Sequence, residues 1–275
     1  MTAGRRAAGI AGLIATVVMA APRPAAAERE LVAHHARDVP ITLGLVGLWV
    51  LGETVAKDAL SPDACRWCAT NAVDRGVRLN LRWEDTALAK RLSDVTGFAL
   101  TPLAAMGGLV VLSPDRRATA LHDLVIVAEA AAIATDLNYL VKIAVARERP
   151  DVSDLAPADK PRTDRPAENN LSFNSGHATS AMAFAVAAGT TATLRGYRHA
   201  WAVWATGVPL ALATGYLRIA GDRHWASDVV TGWAVGAAVG VAVPYLLHTR
   251  PGPGRPTVAL GRAADATTLG LAVAW

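Results

Sequence analysis

Beyond residue 40 the chain alternates long apolar runs with polar connections. Six runs stand out, at about Ile41–Ala56, Phe98–Leu112, Leu121–Ala146, Ala178–Leu194, Trp201–Leu217 and Val229–Leu247, and all six read as helices. A bilayer span needs roughly 17–25 residues; the fifth and sixth runs meet this and the second is marginal. The third contains Asp123, Glu129, Asp136 and Lys142, which must face the bundle interior or the interface if that helix spans. In the sixth, Gly232, Gly236 and Gly240 recur every fourth residue, a small-residue ridge that lets two helices approach closely. The pattern predicts an all-α bundle of about six apolar helices, transmembrane in character.

The connections carrying Arg116 and Arg117, Arg195 and Arg198, and Arg250 and Arg255 are short and basic, as cytoplasmic loops are. Lys57–Gly97, Arg147–His177 and Arg218–Asp228 would then share the periplasmic face. Residues 1–27 place Arg5 and Arg6 before an apolar stretch from Ala7 to Ala21 and the small residues Ala25, Ala26 and Ala27, which reads as a signal peptide. A cleaved signal leaves Glu28 outside and inverts the six-span arrangement. An incomplete first span, an imperfect signal acting as an anchor, or a soluble bundle would each remove that conflict.

Composition agrees with a membrane or strongly apolar protein: 52% of the 275 residues are hydrophobic and 18% charged, too apolar for a disordered chain. The length fits one helical domain, 28–256, with a motif core at 121–247 and a tail at 257–275 whose two short apolar runs suggest a β-hairpin. The net charge of +4 is scattered, without the basic clusters that nucleic-acid grooves need, so nucleic acid is an unsuitable partner. Cys65 and Cys68 are the only cysteines and suit a local disulfide after export; a redox or metal role is the weaker alternative, because Cys-x-x-Cys alone lacks two further ligands at metal spacing, and no metal site is expected.

Three blocks carry chemistry. In the first, Lys142 and Arg149 lie seven residues apart, about two helical turns, so on a continuing helix they share a face, and Pro150 ends that helix; two such cations can hold phosphate oxygens. In the second, Asn174-Ser175-Gly176-His177, Ser175 can cap the fourth helix, Gly176 admits close backbone approach to an anion, and His177 can protonate a leaving alkoxide. In the third, Arg218 precedes His224 and Asp228; four residues on, the Asp228 carboxylate can orient one ring nitrogen of His224 and leave the other to attack. Taken singly, each block also reads as an ordinary cationic helix end, helix start or helix cap. In this order, on one side of the bundle, they are far more specific.

Together the blocks resemble the type 2 phosphatidic acid phosphatase superfamily over roughly Leu121 to Leu247. The resemblance implies that Lys142, Arg149, Ser175, Gly176 and Arg218 bind phosphate. It also implies that His177 is the general acid and that His224, oriented by Asp228, becomes a phosphohistidine, with no cofactor and no metal. Two positions depart from the family pattern: Asn174 stands where Pro is usual, which would loosen the turn holding Ser175, and Leu217 where Ser is frequent. The family spans lipid phosphatases, secreted acid phosphatases and vanadate-dependent haloperoxidases, and the apolar runs favour the first.

The expected function is therefore hydrolysis of a lipid phosphate or diphosphate, of phosphatidate, isoprenoid or lipid A type, at the periplasmic face of an inner membrane. A soluble periplasmic acid phosphatase and a catalytically silent phospholipid-binding membrane protein are the alternatives. The polar stretch Asp151–Asn170 is expected at the substrate entrance.

Overall fold

A computed structural model describes residues 31–32, 34–114 and 118–250, and the backbone of 256–263 and 266–273. The expected signal peptide, and Arg116, Arg117 and Arg255, lie outside the described residues. One compact unit runs from Glu30 to Arg250. Its helices are α1 (His35–Leu60), α2 (Ala72–Leu81), α3 (Thr86–Leu112), α4 (Ala118–Val145), the single turn α5 (Pro150–Ser153), α6 (Gly176–Leu194), α7 (Ala200–Ala220) and α8 (Ala226–Leu247). The tail pairs β1 (Pro256–Ala263) with β2 (Ala266–Val273) as an antiparallel hairpin.

All six apolar runs are helical, but their limits differ. The marginal second run is the apolar half of α3, whose polar first half begins where the Asp85 carboxylate caps the Leu88 N–H at 2.8 Å. Helix α2 was not foreseen; it starts where Asn71 accepts from the Asp74 N–H at 2.8 Å. Both starts use the short polar side chains that satisfy free N–H groups at a helix N-terminus. Helix α4 stops at Val145 rather than at Pro150, because Ala146 takes a left-handed φ of 49° and turns the chain outward. Arg147 then pairs in a parallel bridge with Trp67, and Pro150 opens α5 instead of closing α4.

Helix α6 is the centre of the bundle, packed on α4, α7 and α8. Its Ala, Gly and Thr side chains permit this closeness, and the glycine ridge of α8 lies against it: a Cβ on Gly236 would sit 2.3 Å from the Thr179 carbonyl oxygen. Such small-residue contact is how helices associate where lipid removes the hydrophobic drive between them. Five helices, α1, α3, α4, α7 and α8, are long and apolar enough to cross a membrane. Their outward faces leave Leu43, Val55, Leu103, Val111 and Leu246 exposed, an apolar surface suited to lipid and costly in water. The protein is a membrane protein of the all-α class.

The charges of the third run divide between the two ends. Asp123 accepts from Arg195 at 2.8 Å and from Tyr197 at 2.6 Å, and Glu129 lies 2.9 Å from His248. Leu31 bridges Thr249 at this same end, so the start of α1 lies beside the basic connection at Arg195. Lys142 lies at the other end, where the three polar connections meet.

Candidate active site

The polar end holds a cavity of about 930 Å³ lined by Lys142, Arg149, Gly176, His177, Arg218 and His224. All three blocks thus reach one space. Ser175 and Asp228 stand behind this lining.

Lys142 projects from the last turn of α4, is buried, and makes no ion pair among the described residues. Arg149 arrives on the extended segment after Ala146, not along the same helix face, and is fixed by donating from Nε to the Glu168 carbonyl at 2.7 Å and from Nη1 to the Arg223 carbonyl at 3.0 Å. Burial, then repulsion from the Arg223 cation, lowers the Arg149 guanidinium from its ordinary value to about 10. Arg218, in the last turn of α7, donates from Nη1 to Ser93 Oγ at 3.1 Å, and its buried Nε has no partner among the described residues.

His224 is nearly fully buried. Its Nδ1 lies 2.8 Å from the Ser172 carbonyl oxygen. A carbonyl only accepts, so Nδ1 carries the hydrogen and Nε2 keeps its lone pair. Nε2 in turn lies 3.5 Å from Arg149 Nη1. Burial, reinforced by Arg149, Arg218, Lys142 and Arg223, holds the ring well below the usual imidazole range. It is neutral, as a nucleophilic nitrogen must be.

The direct His224–Asp228 hydrogen bond expected from the spacing is not formed, since Nδ1 and Asp228 Oδ2 are 3.7 Å apart. Asp228 is drawn elsewhere. It accepts from Arg147 at 2.5 Å, from Ser172 Oγ at 2.6 Å and from the Trp225 N–H at 2.9 Å, as a carboxylate in the first turn of α8. Ser172 therefore stands between the two, binding Asp228 by its hydroxyl and His224 by its carbonyl. The Ser175 hydroxyl, expected to cap α6, makes no cap bond and is buried without a partner among the described residues. Its N–H donates to the Asp228 carbonyl at 3.0 Å. A Cβ at Gly176 would meet Asn138 Oδ1 at 2.9 Å and Lys142 Nζ at 3.4 Å, so only glycine fits there. Asn174 does not loosen the turn; it is buried, and both its backbone and side-chain oxygens accept from Asn138 Nδ2.

Several residues outside the motif reading hold this site. Arg147 ties Asp228 to Asp74, at 2.7 Å, and to Ser227. Burial would raise the Asp74 carboxyl, but the Ser227 and Arg147 hydrogen bonds hold it below its ordinary value. Glu168, from the expected entrance stretch, binds Lys57 at 2.9 Å and Arg223. Burial opposes its charge, yet Arg149, Lys57 and Arg223 outweigh that and keep it well below the carboxylate range. Asp94 lies 2.8 Å from His177 Nε2. Arg147 lay unmarked inside the first block, two positions before Arg149; Asp74 and Asp94 carry no spacing signal. The sulfurs of Cys65 and Cys68 are bonded to each other, and among the described residues no three His, Cys, Asp or Glu side chains gather as a metal site.

Residues 123–251 match the family described as the PAP2 superfamily. Over 145 residues the chain is 33% identical to decaprenylphosphoryl-5-phosphoribose phosphatase of Mycobacterium tuberculosis, a stretch covering 51% of this chain and 67% of that protein. The chain belongs to the PAP2 superfamily. It is a phosphoric ester hydrolase of that class. Among solved structures, a transmembrane PAP2 type phosphatidylglycerolphosphate phosphatase from Bacillus subtilis is similar, with 19% identity and a TM-score of 0.43, covering 75% of this chain and 93% of that one. The PAP2 match spans α4 to the end of α8 and leaves α1, α2 and α3 outside, although α3 brings Asp94 to the cavity.

Proposed function

We propose that this PAP2 protein hydrolyses a lipid-linked phosphomonoester or diphosphate without a metal, through a phosphohistidine at His224. The observation that carries the reading is a neutral, buried His224 whose free Nε2 faces Arg149, in a cavity where Lys142 makes no ion pair among the described residues. Phosphoryl transfer is mostly positioning and charge stabilisation, and fixed cations supply both. Lys142, Arg149 and Arg218 would hold the equatorial oxygens, with Ser175 and the Gly176 backbone completing the cradle. His224 Nε2 attacks phosphorus, His177 protonates the leaving oxygen, and water then hydrolyses the phosphohistidine. Ser172 and Asp228 keep the His224 ring aimed.

The apolar exterior supports a lipid substrate over a soluble ester. The named activity of the mycobacterial relative makes a prenyl-linked phosphate the first choice. The cavity also extends past Phe98, Ala131 and Phe184 between the helices, consistent with an apolar substrate chain. The described end opposite the site carries Arg195, Arg198 and Arg250, which favours an inner-membrane orientation with the cavity towards the periplasm. Leu31 then lies on the cytoplasmic side, which favours an uncleaved N-terminal segment over a cleaved signal.

The test is phosphate release from prenyl phosphates and diphosphates, phosphatidate and soluble phosphoesters, with EDTA present. Wild type should release phosphate from a lipid member, and His224→Ala should lose it by about 10³-fold or more. Equal rates in the two proteins would sink the phosphohistidine assignment.

A further inference from the structure

The carboxylate of Asp94 comes from α3, outside both the three blocks and the PAP2 match, and meets His177 and Arg218 together. Its Oδ1 is 2.8 Å from His177 Nε2 and 3.5 Å from Arg218 Nη1. The neighbouring Ser93 hydroxyl accepts from the same Arg218 nitrogen at 3.1 Å. One turn on, the Phe98 ring lies 4.4 Å from the His177 ring, and a Cβ on Gly97 would come within 3.5 Å of His177 Cδ2. Helix α3 thus covers one face of the imidazole and binds its edge. It does so beside the π-helical turn Thr96–Leu100, an irregularity of the kind found where helices serve functional sites.

Resting on the reading of the site given above, we propose that Asp94 is the positioning residue of the general acid: it fixes the His177 ring and favours its protonated form for the departure of the leaving group. Among the described residues the charges facing His177 are Lys142 from α4, Arg218 from α7 and Asp94 from α3. Burial first, and then the two cations, oppose a proton on the ring, and a bound phosphate neutralises the cations. Asp94, whose side chain is half exposed at the cavity mouth, is the carboxylate that stabilises the imidazolium, in the way an acid orients a catalytic histidine elsewhere. With Nε2–H on Asp94, Nδ1–H is the donor to the substrate.

As the His224 Nε2–phosphorus bond forms, the bond from phosphorus to the leaving oxygen breaks. That oxygen keeps the electron pair and takes the Nδ1 proton. His177, now neutral, accepts a proton from the water that attacks the phosphohistidine, which restores the starting state and frees inorganic phosphate.

A general acid matters most for a poor leaving group. The experiment therefore compares dodecyl phosphate, whose alkoxide leaves badly, with p-nitrophenyl phosphate, whose phenolate needs no proton, using full-length protein in detergent. Asp94→Asn should slow the single-turnover release of alcohol from dodecyl phosphate by about 10²-fold, within the range for general acid catalysis, and of p-nitrophenol from p-nitrophenyl phosphate by less than about threefold. His177→Ala should show the same selectivity, and Asp94→Glu should recover most of the loss. An equal loss on both substrates, a change confined to KM, or no change would overturn the proposal; the Asp94→Glu protein and an unchanged melting midpoint guard against misfolding. His224→Ala separates the two levels of inference: if it stays active, the site assignment fails and takes this proposal with it. If only His224→Ala is inactive and Asp94→Asn behaves as wild type, the role of Asp94 alone fails.

Discussion

The two ends of the bundle bury charge in different ways. At the end away from the cavity each buried carboxylate has a close partner: Asp123 holds Arg195 and Tyr197, Glu129 holds His248, and Asp38 holds Arg37. At the cavity end seven Lys and Arg side chains line the space against five Asp and Glu, and Lys142 has no partner among the described residues. Burying charge costs several kcal/mol per ion unless it is paired. The first end is therefore a structural clamp joining the start of α1 and the end of α8 to α4. The second carries a positive excess that fits an anion of charge about minus two, which is the physical content of the phosphatase reading.

The largest expected effect on this contrast comes from Arg147, a cation at the cavity end that is matched by two fully buried carboxylates, Asp74 and Asp228. Arg147→Met leaves Asp74 and Asp228 buried without their counter-charge, and breaking such a pair costs about 3–5 kcal/mol. The melting midpoint in detergent should fall sharply, and residual activity should fall with it because Asp228 no longer braces Ser172 and His224. A variant of unchanged stability would show that the Arg147 pairing is not what holds the third block in place.

Lys142→Met addresses the unmatched charge directly. Removing one preorganised charge-stabilising group typically costs about 10²–10³-fold in rate, so kcat/KM for the best lipid phosphate should drop by about 10²-fold. The fold should lose nothing and gain slightly in stability, since an unpaired buried cation is gone. Glu129→Gln is its mirror image at the clamp. It should lower stability by about 1–3 kcal/mol, the cost of a weakened buried hydrogen bond, with kcat/KM unchanged within twofold. If Lys142→Met destabilises while Glu129→Gln impairs catalysis, the division of labour between the ends is reversed.

Much of this division was legible in the chain, and what escaped did so for physical reasons. The six apolar helices followed from apolar periodicity, and the glycine ridge of α8 from its four-residue spacing, because both are local patterns. The three blocks converge because each lies where a helix begins or ends at the polar end. The route by which Arg149 reaches the cavity was misread, since Ala146 adopts a left-handed φ that no propensity assigns to alanine. The bond that aims His224 was also misread: it goes to a backbone carbonyl, and any residue at position 172 supplies one. Asp94 and Asp74 reach the site from α3 and α2 only through tertiary packing, so nothing about their neighbours in sequence marks them.

The smallest effect concerns protons, and it belongs to His224. In the folded protein His224 is held well below the usual imidazole range, whereas in an unfolded chain a histidine takes up its proton near pH 6.5. The folded state thus binds fewer protons than the unfolded state below that pH, and stability falls as the solution is acidified, by at most about 1.4 kcal/mol per pH unit for one such group. Glu168 works in the same direction but only at lower pH, because its depressed carboxyl costs stability once an unfolded glutamate near 4.5 begins to protonate. Melting midpoints of wild type and His224→Gln between pH 7.5 and 5.5 isolate the His224 contribution. The variant should show the flatter profile, and parallel profiles would mean that the ring is not kept neutral by its burial and the cations around it.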